Sequence, residues 1–251
     1  MTDTTRELAG RVAIVTGAGR NIGRAIALDL ASGGAAVVVN ARANQTEAKG
    51  VAGEIAARGG KGVAILADVT DAAAIERMVK AAIDQFGRID LLVNNAAVRR
   101  EISLDEMTLA EWHEILAIIL DGAFNCVKAC LPHLRAAGGA TIVNIGGLSA
   151  TTGARDRAHV VTAKAGIEGF TRALAHELAP DDITVNCVSP GFINTTRPSG
   201  APRSARHTHQ SLSGRHGESQ EIAATVRFLC GPGARYITGQ TIHVNGGALL
   251  K

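Results

Sequence analysis

Short β-branched runs alternate with longer amphipathic stretches along almost the whole 251-residue chain. That alternation is the sequence form of repeated βαβ units, which can bury their apolar faces only around a parallel sheet. Strands are predicted at Val12 to Thr16, Ala36 to Asn40, Gly62 to Ala67, Asp90 to Asn94, Ala140 to Ile145, Ile183 to Val188 and Thr241 to Val244. Several are apolar throughout, as strands covered by helices on both faces must be. Helical spacing of apolar residues marks Ile22 to Ser32, Thr46 to Ala57, Ala72 to Phe86, Leu109 to Ala136, His159 to Leu178 and Glu218 to Leu229. Thr108 and Glu111 form a capping box for the long fourth helix. The expected fold class is α/β, a doubly wound parallel sheet of about seven strands in three layers. No repeat or linker divides the chain, so residues 1–251 are read as one domain. The stretch without a clear period, Thr195 to Gly217, reads as a mobile flap on the substrate side.

Charge and composition narrow the partners. The formal net charge is +3, but Thr195 to Gly217 alone carries four arginines and no acid, leaving 22 basic against 23 acidic residues elsewhere. With aromatics at 3%, there is neither a broad basic stripe nor a set of stacking platforms, and nucleic acid is not expected as a partner. The amino-terminal residues lack a signal-like apolar core, and the greasy run Ile115 to Leu120 is too short to span a bilayer. A soluble cytoplasmic protein without membrane association is expected. Cys126, Cys130, Cys187 and Cys230 lack paired metal-ligand spacing and read as small buried hydrophobes, with no metal and no disulfides.

The first strand runs directly into Gly17-Ala18-Gly19-Arg20-Asn21-Ile22-Gly23, a glycine-rich turn opening a helix. Such a turn lets backbone N–H groups and the helix dipole hold a pyrophosphate. Asn21, where glycine is usual, tolerates positive φ, and its side chain is placed to crowd or bond the phosphates. The second strand ends in Asn40-Ala41-Arg42, without the carboxylate that bonds a ribose 2′-hydroxyl and repels a 2′-phosphate. Arg42, with Arg20 as a second cation, favours NADP(H) over NAD(H).

These features, with Asp68-Val69, Asn94-Asn95-Ala96-Ala97, Thr162-Ala163-Lys164-Ala165-Gly166, Pro190-Gly191 and the carboxyl-terminal Asn245-Gly246-Gly247, resemble the short-chain dehydrogenase/reductase family from about Leu8 to Leu249. Its 3-oxoacyl-carrier reductases are the members most similar. The resemblance implies a Rossmann fold and an oxidoreductase. Asp68 and Val69 would contact the adenine, and Asn95 and Ala96 would form a wall of the cofactor cleft. Pro190, Gly191, Ile193 and Thr195 would lie beneath the nicotinamide, and Lys164 would bond its ribose. The family's Ser and Tyr-x-x-x-Lys signature is depleted here. Aligned on Lys164, the Tyr position holds Val160, the Ser position Gly147, and the helix Asn, which interrupts backbone bonding and anchors a water, becomes Ile119.

Ser149, two residues after the missing Ser, and His159, one before the missing Tyr, are the candidate substitutes beside Lys164. A histidine titrates near neutral pH, but a regular helix turns its side chain roughly 100° from the Tyr direction. Helix capping or a surface position is the alternative for it. Arg99, Arg155 and Arg197 could converge on an anionic small-molecule substrate, or be solvated loop charges. Two functions remain open: an NADP(H)-dependent oxidoreductase with an atypical proton path, and a cofactor-binding non-redox relative acting as regulatory subunit, lyase or isomerase. The resemblance also implies a homotetramer or homodimer. Ala163, Ala165, Gly166, Gly169, Ala173 and Ala175 offer a small-residue helix surface for it, or for packing within the subunit.

Overall fold

In the computed structural model, which describes residues 6–196 and 211–250, seven parallel strands form one sheet in the order β3-β2-β1-β4-β5-β6-β7. They are β1 Val12–Val15, β2 Ala36–Ala41, β3 Lys61–Leu66, β4 Leu91–Asn94, β5 Thr141–Ile145, β6 Thr184–Pro190 and β7 Thr241–Val244. Each predicted strand is present, with ends displaced by a residue or two. The central strands β1, β2, β4, β5 and β6 are buried at every position, the burial that their largely apolar sequences require, and their polar residues, such as Asn40, Asn94 and Asn144, are hydrogen-bonded inside.

Helices cover both faces. On one side α1 (Asn21–Ser32), α2 (Gln45–Ala57) and α8 (Ser219–Cys230) pack through Ile26, Leu30, Ile55 and Val226 onto Val15, Val37 and Val93. On the other, α3 (Ala72–Phe86), α5 (Gly122–Ala137) and α7 (Ala158–Leu178) close over Ile14, Val38, Leu92 and Ile142. Two shorter helices, α4 (Leu109–Leu116) and α6 (Ser149–Thr152), complete the set among the described residues. Strand order reverses between β1 and β4, and the crevice at the carboxyl ends of those strands is where an open α/β sheet accepts a ligand.

The predicted fourth helix is continuous from Leu109 to Ala137, but its middle turn, Ala117–Asp121, is a π-helix joining α4 to α5. The Thr108/Glu111 capping box is formed at its start. At mean hydropathy 1.6 this 29-residue segment is long and apolar enough to cross a membrane, a longer window than the run Ile115 to Leu120 indicated. Its buried face packs inside the protein: Ile115 and Ile119 meet α7, while Cys126, Cys130 and Leu134 join the core beneath the sheet. All four cysteines are free and buried.

The small residues of α7 divide between two roles. Ala163 and Ala175 are buried, and a Cβ at Gly166 would come within 2.9 Å of Leu120, so these serve packing within the subunit. Ala165 and Ala173 are exposed and nothing lies within 4 Å of a Cβ at Gly169, leaving a small-residue stripe outward.

Candidate active site

The glycine-rich turn is held from three directions. Gly17 has φ +62°, and its N–H donates to the Asn40 side chain at 3.3 Å. Asn40, buried at the end of β2, spends its amide on the Ile65 and Ala67 carbonyls. Asn95 reaches across from the end of β4 and donates to the Thr16 and Gly17 carbonyls at 2.8 and 3.1 Å. Thr16 Oγ1 accepts the N–H groups of Asn95 and Ala96 at 2.9 and 3.0 Å. Arg20, the residue before α1, makes no capping bond, so the first-turn N–H groups of α1 have no side-chain acceptor and fit an anion. A nicotinamide dinucleotide suits this cradle: a Cβ on Gly23 would lie only 2.3 Å from the Gly17 carbonyl, a spacing that only a bare backbone permits.

Asn21 takes φ +51°. Its side chain does not turn toward the phosphate position. It crosses to the segment after β6, donating to the Thr196 carbonyl at 3.0 Å and accepting from the Thr196 N–H and hydroxyl at 2.9 and 2.8 Å. Glycine would relieve the left-handed backbone but abolish these bonds. Asn21→Gly is therefore expected to change global stability by no more than about 1 kcal/mol. Hydrogen exchange at the Thr196 amide should accelerate about tenfold, the loss of roughly one hydrogen bond. An unchanged exchange rate would show that Asn21 does not hold this segment.

Around the adenine side, Asp68 is occupied on one oxygen by the Thr70 N–H and hydroxyl, and the Val69 carbonyl accepts from Asn125 at 3.0 Å. Arg20 and Arg42 are exposed, and neither forms an ion pair with a carboxylate among the described residues. The nearest carboxylate to the turn is Glu47 of α2, whose Cβ would be 3.2 Å from a Cβ on Gly19. Gly191 donates to the Val244 carbonyl, and a Cβ on it would strike Asn245 at 2.6 Å. Ile193 is buried and bridges Gly217, while Thr195 lies half-buried beside it.

At the catalytic end Lys164 is buried and its Nζ donates to the Ile145 carbonyl at 2.6 Å. Burial lowers its pKa from 10.5 to about 8, with the charge of Arg99 acting in the same direction. A chain of buried side chains sets its helix against the sheet: Asn94 donates to Asn144, Asn144 to Thr171, and Thr171 to the Ile167 carbonyl, at 2.8–2.9 Å. The sequence reading missed this chain. Its signal was the placement of Asn94 and Asn144 at the ends of otherwise apolar strands.

The depleted positions are apolar in space as well. Val160 packs with Ile115, Ile119, Ala123, Ala163 and Cys187, and a Cβ on Gly147 would touch only Lys164 Cγ, at 3.9 Å. The π-turn occurs although its central residue is Ile119, so the backbone interruption needs no asparagine. Its end is fixed by close approach, since a Cβ on Gly122 would come within 2.6 Å of Val69. A cavity of about 10 Å³, near the smallest that holds a water, lies between Lys164, Asn94, Ile118, Ile119 and Gly122.

His159 is neither a cap nor on the surface. It is fully buried in the regular first turn of α7, and neither ring nitrogen has a hydrogen-bond partner among the described residues. Burial, with the charge of Arg100, lowers its pKa, so the ring is neutral near pH 7 and is a poor proton donor. Ser149 opens α6 in a half-buried position.

The arginines do not converge as a group. Arg100 pairs with Glu114, Arg157 with Glu101, and Arg215 binds Glu221 through two bonds at the start of α8. Arg155 is solvent-exposed beside Asp156, and Arg99 is exposed near Lys164. Arg197 and most of the predicted flap lie outside the described residues.

Comparison with known proteins agrees with this geometry. A family model described as Enoyl-(Acyl carrier protein) reductase matches residues 17–248. A 3-oxoacyl-[acyl-carrier-protein] reductase of Synechocystis is 41% identical, covering 97% of this chain and 98% of that protein. One from Staphylococcus aureus is 42% identical over 95% and 98%. Among solved structures, a dehydrogenase/reductase from Sinorhizobium meliloti superposes with a TM-score of 0.91 at 35% identity, covering 98% of each chain. A short-chain dehydrogenase from Burkholderia cenocepacia, solved in complex with NADP, gives 0.89 at 34%, covering 96% of this chain and 99% of that one.

Proposed function

We propose, on the premise that this chain belongs to the short-chain dehydrogenase/reductase family and is an NAD(P)-dependent oxidoreductase, that it uses NADP(H) to interconvert a carbonyl and an alcohol on a polar, anionic compound. The proton path is atypical. The observation that carries this reading is Lys164, buried at the floor of the cleft and fixed by Ile145, where it can orient the ribose and face the reacting carbon. The dinucleotide supplies or accepts the hydride when bound. Gly17, Gly19, Arg20, Asn21, Ile22 and Gly23 bring backbone N–H groups to the pyrophosphate. Asp68 and Val69 flank the adenine, and Asn95 and Ala96 line the cleft. Pro190, Gly191, Ile193 and Thr195 support the nicotinamide.

The similar reductases point to a 3-oxoacyl thioester as the carbonyl class, whose carrier arm bears phosphate. Arg99, exposed near Lys164, and Arg155, exposed beside Asp156, would be the cations that meet it. Ser149 would touch the substrate, while neutral, buried His159 is not a proton donor in this reading. Self-association as a dimer or tetramer would use the outward stripe Ala165, Gly169 and Ala173.

NADP(H) preference is supported by Arg20 and Arg42 and by the absence of a carboxylate at the end of β2. A charge-assisted bond to a 2′-phosphate contributes about 1.5–3 kcal/mol. Arg42→Ala is thus expected to weaken NADPH binding roughly tenfold to a hundredfold while leaving NADH within about twofold, as measured by nucleotide fluorescence. Equal weakening of both would refute the assignment. If neither 3-oxoacyl thioesters, keto acids, aldehydes nor imines oxidise bound NADPH, the non-redox alternative replaces this one.

A further inference from the structure

The geometry points to Lys164 itself as the group that protonates the substrate oxygen, taking the place of a phenol. This rests on the oxidoreductase reading above and extends it from where the lysine sits to what its proton does. Three observations converge on it. First, among the described residues Lys164 is the only ionisable side chain lining the small cavity at the carboxyl ends of β4 and β5, whose other walls are Thr16, Asn94 and apolar groups. Second, the positions aligned with the family's donors carry none: Val160 and Ile119 are aliphatic and Gly147 has no side chain, while His159 is buried in the first turn of α7 and Ser149 has no charge to release. Third, a single short bond to the Ile145 carbonyl holds Nζ in place and leaves further N–H bonds for a substrate oxygen.

The electrostatic surroundings suit a donor. Burial is the main cause of the lysine's depressed pKa of about 8, which keeps it charged at neutrality yet ready to release a proton. No carboxylate among the described residues forms an ion pair with Nζ. From β6 the Cys187 thiol faces it, itself pushed up to about 12 by burial and so uncharged, with Glu168 of α7 acting on that thiol. From the loop after β4, Arg99 disfavours the ammonium.

In the reducing direction the carbonyl carbon accepts a hydride from the reduced nicotinamide dinucleotide, forming a C–H bond as the carbonyl π pair moves onto oxygen. That oxygen takes a proton from the Lys164 ammonium, breaking an N–H bond and leaving a neutral amine. Solvent then returns one proton to the amine. The sum is carbonyl, reduced dinucleotide and a proton giving alcohol and oxidised dinucleotide.

The test is single-turnover oxidation of bound NADPH by acetoacetyl-coenzyme A from pH 6 to 10, with NADPH affinity measured in parallel. The wild-type rate should fall tenfold per pH unit above a break near pH 8. At saturating NADPH, Lys164→Arg, still cationic but a far weaker acid, should lose roughly a hundred to ten thousand-fold in rate and lose the break. Adding Val160→Tyr and Gly147→Ser to that variant should recover rate through a phenol. A readout free of cofactor is thermal unfolding of Lys164→Met. The folded lysine binds its proton less tightly than the unfolded one, so wild-type stability rises between about pH 8 and 10.5, and the variant should be the more stable at pH 7 with its advantage shrinking over that window. A pH-independent wild-type rate, an Arg variant of undiminished rate, or a stability difference that does not vary with pH overturns the lysine assignment and leaves the oxidoreductase reading standing. Failure of the wild type to oxidise NADPH with acetoacetyl-coenzyme A and equally with keto acids, aldehydes and imines overturns both.

Discussion

Asp90→Ala is expected to destabilise the fold by about 3 kcal/mol. Asp90 is fully buried just before β4, and its carboxylate gathers the Val12 N–H and the guanidiniums of Arg88 and Arg11, which besides it meet only the Ala137 and Gly139 carbonyls among the described residues. Oδ2 accepts the Val12 N–H at 2.9 Å, the Arg88 guanidinium donates to both oxygens at 2.6–3.1 Å, and Arg11 approaches to 3.5 Å. Alanine would leave the β1 amide unpaired and two guanidiniums without their counter-charge. Burial already disfavours the charge on Arg11, and Asp90 is what opposes that effect. The arginines keep partial access to water, which holds the cost near the low end for a broken buried pair. Asn retains an acceptor and should cost about half as much. Urea unfolding of the three proteins decides the matter, and a loss under about 1 kcal/mol for alanine would mean that the site relaxes freely.

Gly23→Ala should disable the cofactor cradle without an alteration in charge. In an exposed helix interior alanine gains about 1 kcal/mol over glycine. Here its methyl would lie 2.3 Å from the Gly17 carbonyl, 2.5 Å from Asn95 Nδ2 and 3.0 Å from Ala18 Cα. Two of these are backbone atoms, so either α1 withdraws from the turn or Asn95 gives up its bonds to Thr16 and Gly17. The expected cost is about 1–3 kcal/mol of stability, with at least a tenfold loss of NADPH affinity as the N–H groups move. Gly53→Ala on α2 is the control: it is helical, exposed, and has nothing within 4 Å of its added Cβ, so it should gain about 0.5–1 kcal/mol. Equal behaviour of the two variants in stability and binding would show that close approach is not why position 23 is glycine.

Much of the fold was legible because its signals are local. The all-apolar runs in β1, β2 and β4 require two covered faces whatever their neighbours, and Thr108 with Glu111 announces a helix start within four residues. The glycine turn after β1 and the lysine four residues after Val160 likewise lie in contiguous sequence. Contacts between distant segments were not legible. The reach of Asn21 to Thr196 crosses 175 positions, and nothing near Asn21 indicates that its amide turns from the phosphate position toward that loop. The burial of His159 depends on how α4 meets α7, and the ion pairs of Arg100, Arg157 and Arg215 on carboxylates 6–56 positions away.

The sequence by itself determined the βαβ order, the parallel sheet and the absence of hydroxyls at positions 147 and 160, since each follows from residue type and short-range period. Tertiary structure alone decided the electrostatic character of Lys164, the neutrality of His159 and the retention of a π-turn at Ile119 without asparagine. Desolvation and close packing are set by segments that meet only after the chain has folded, and a side chain's charge state is fixed by that company.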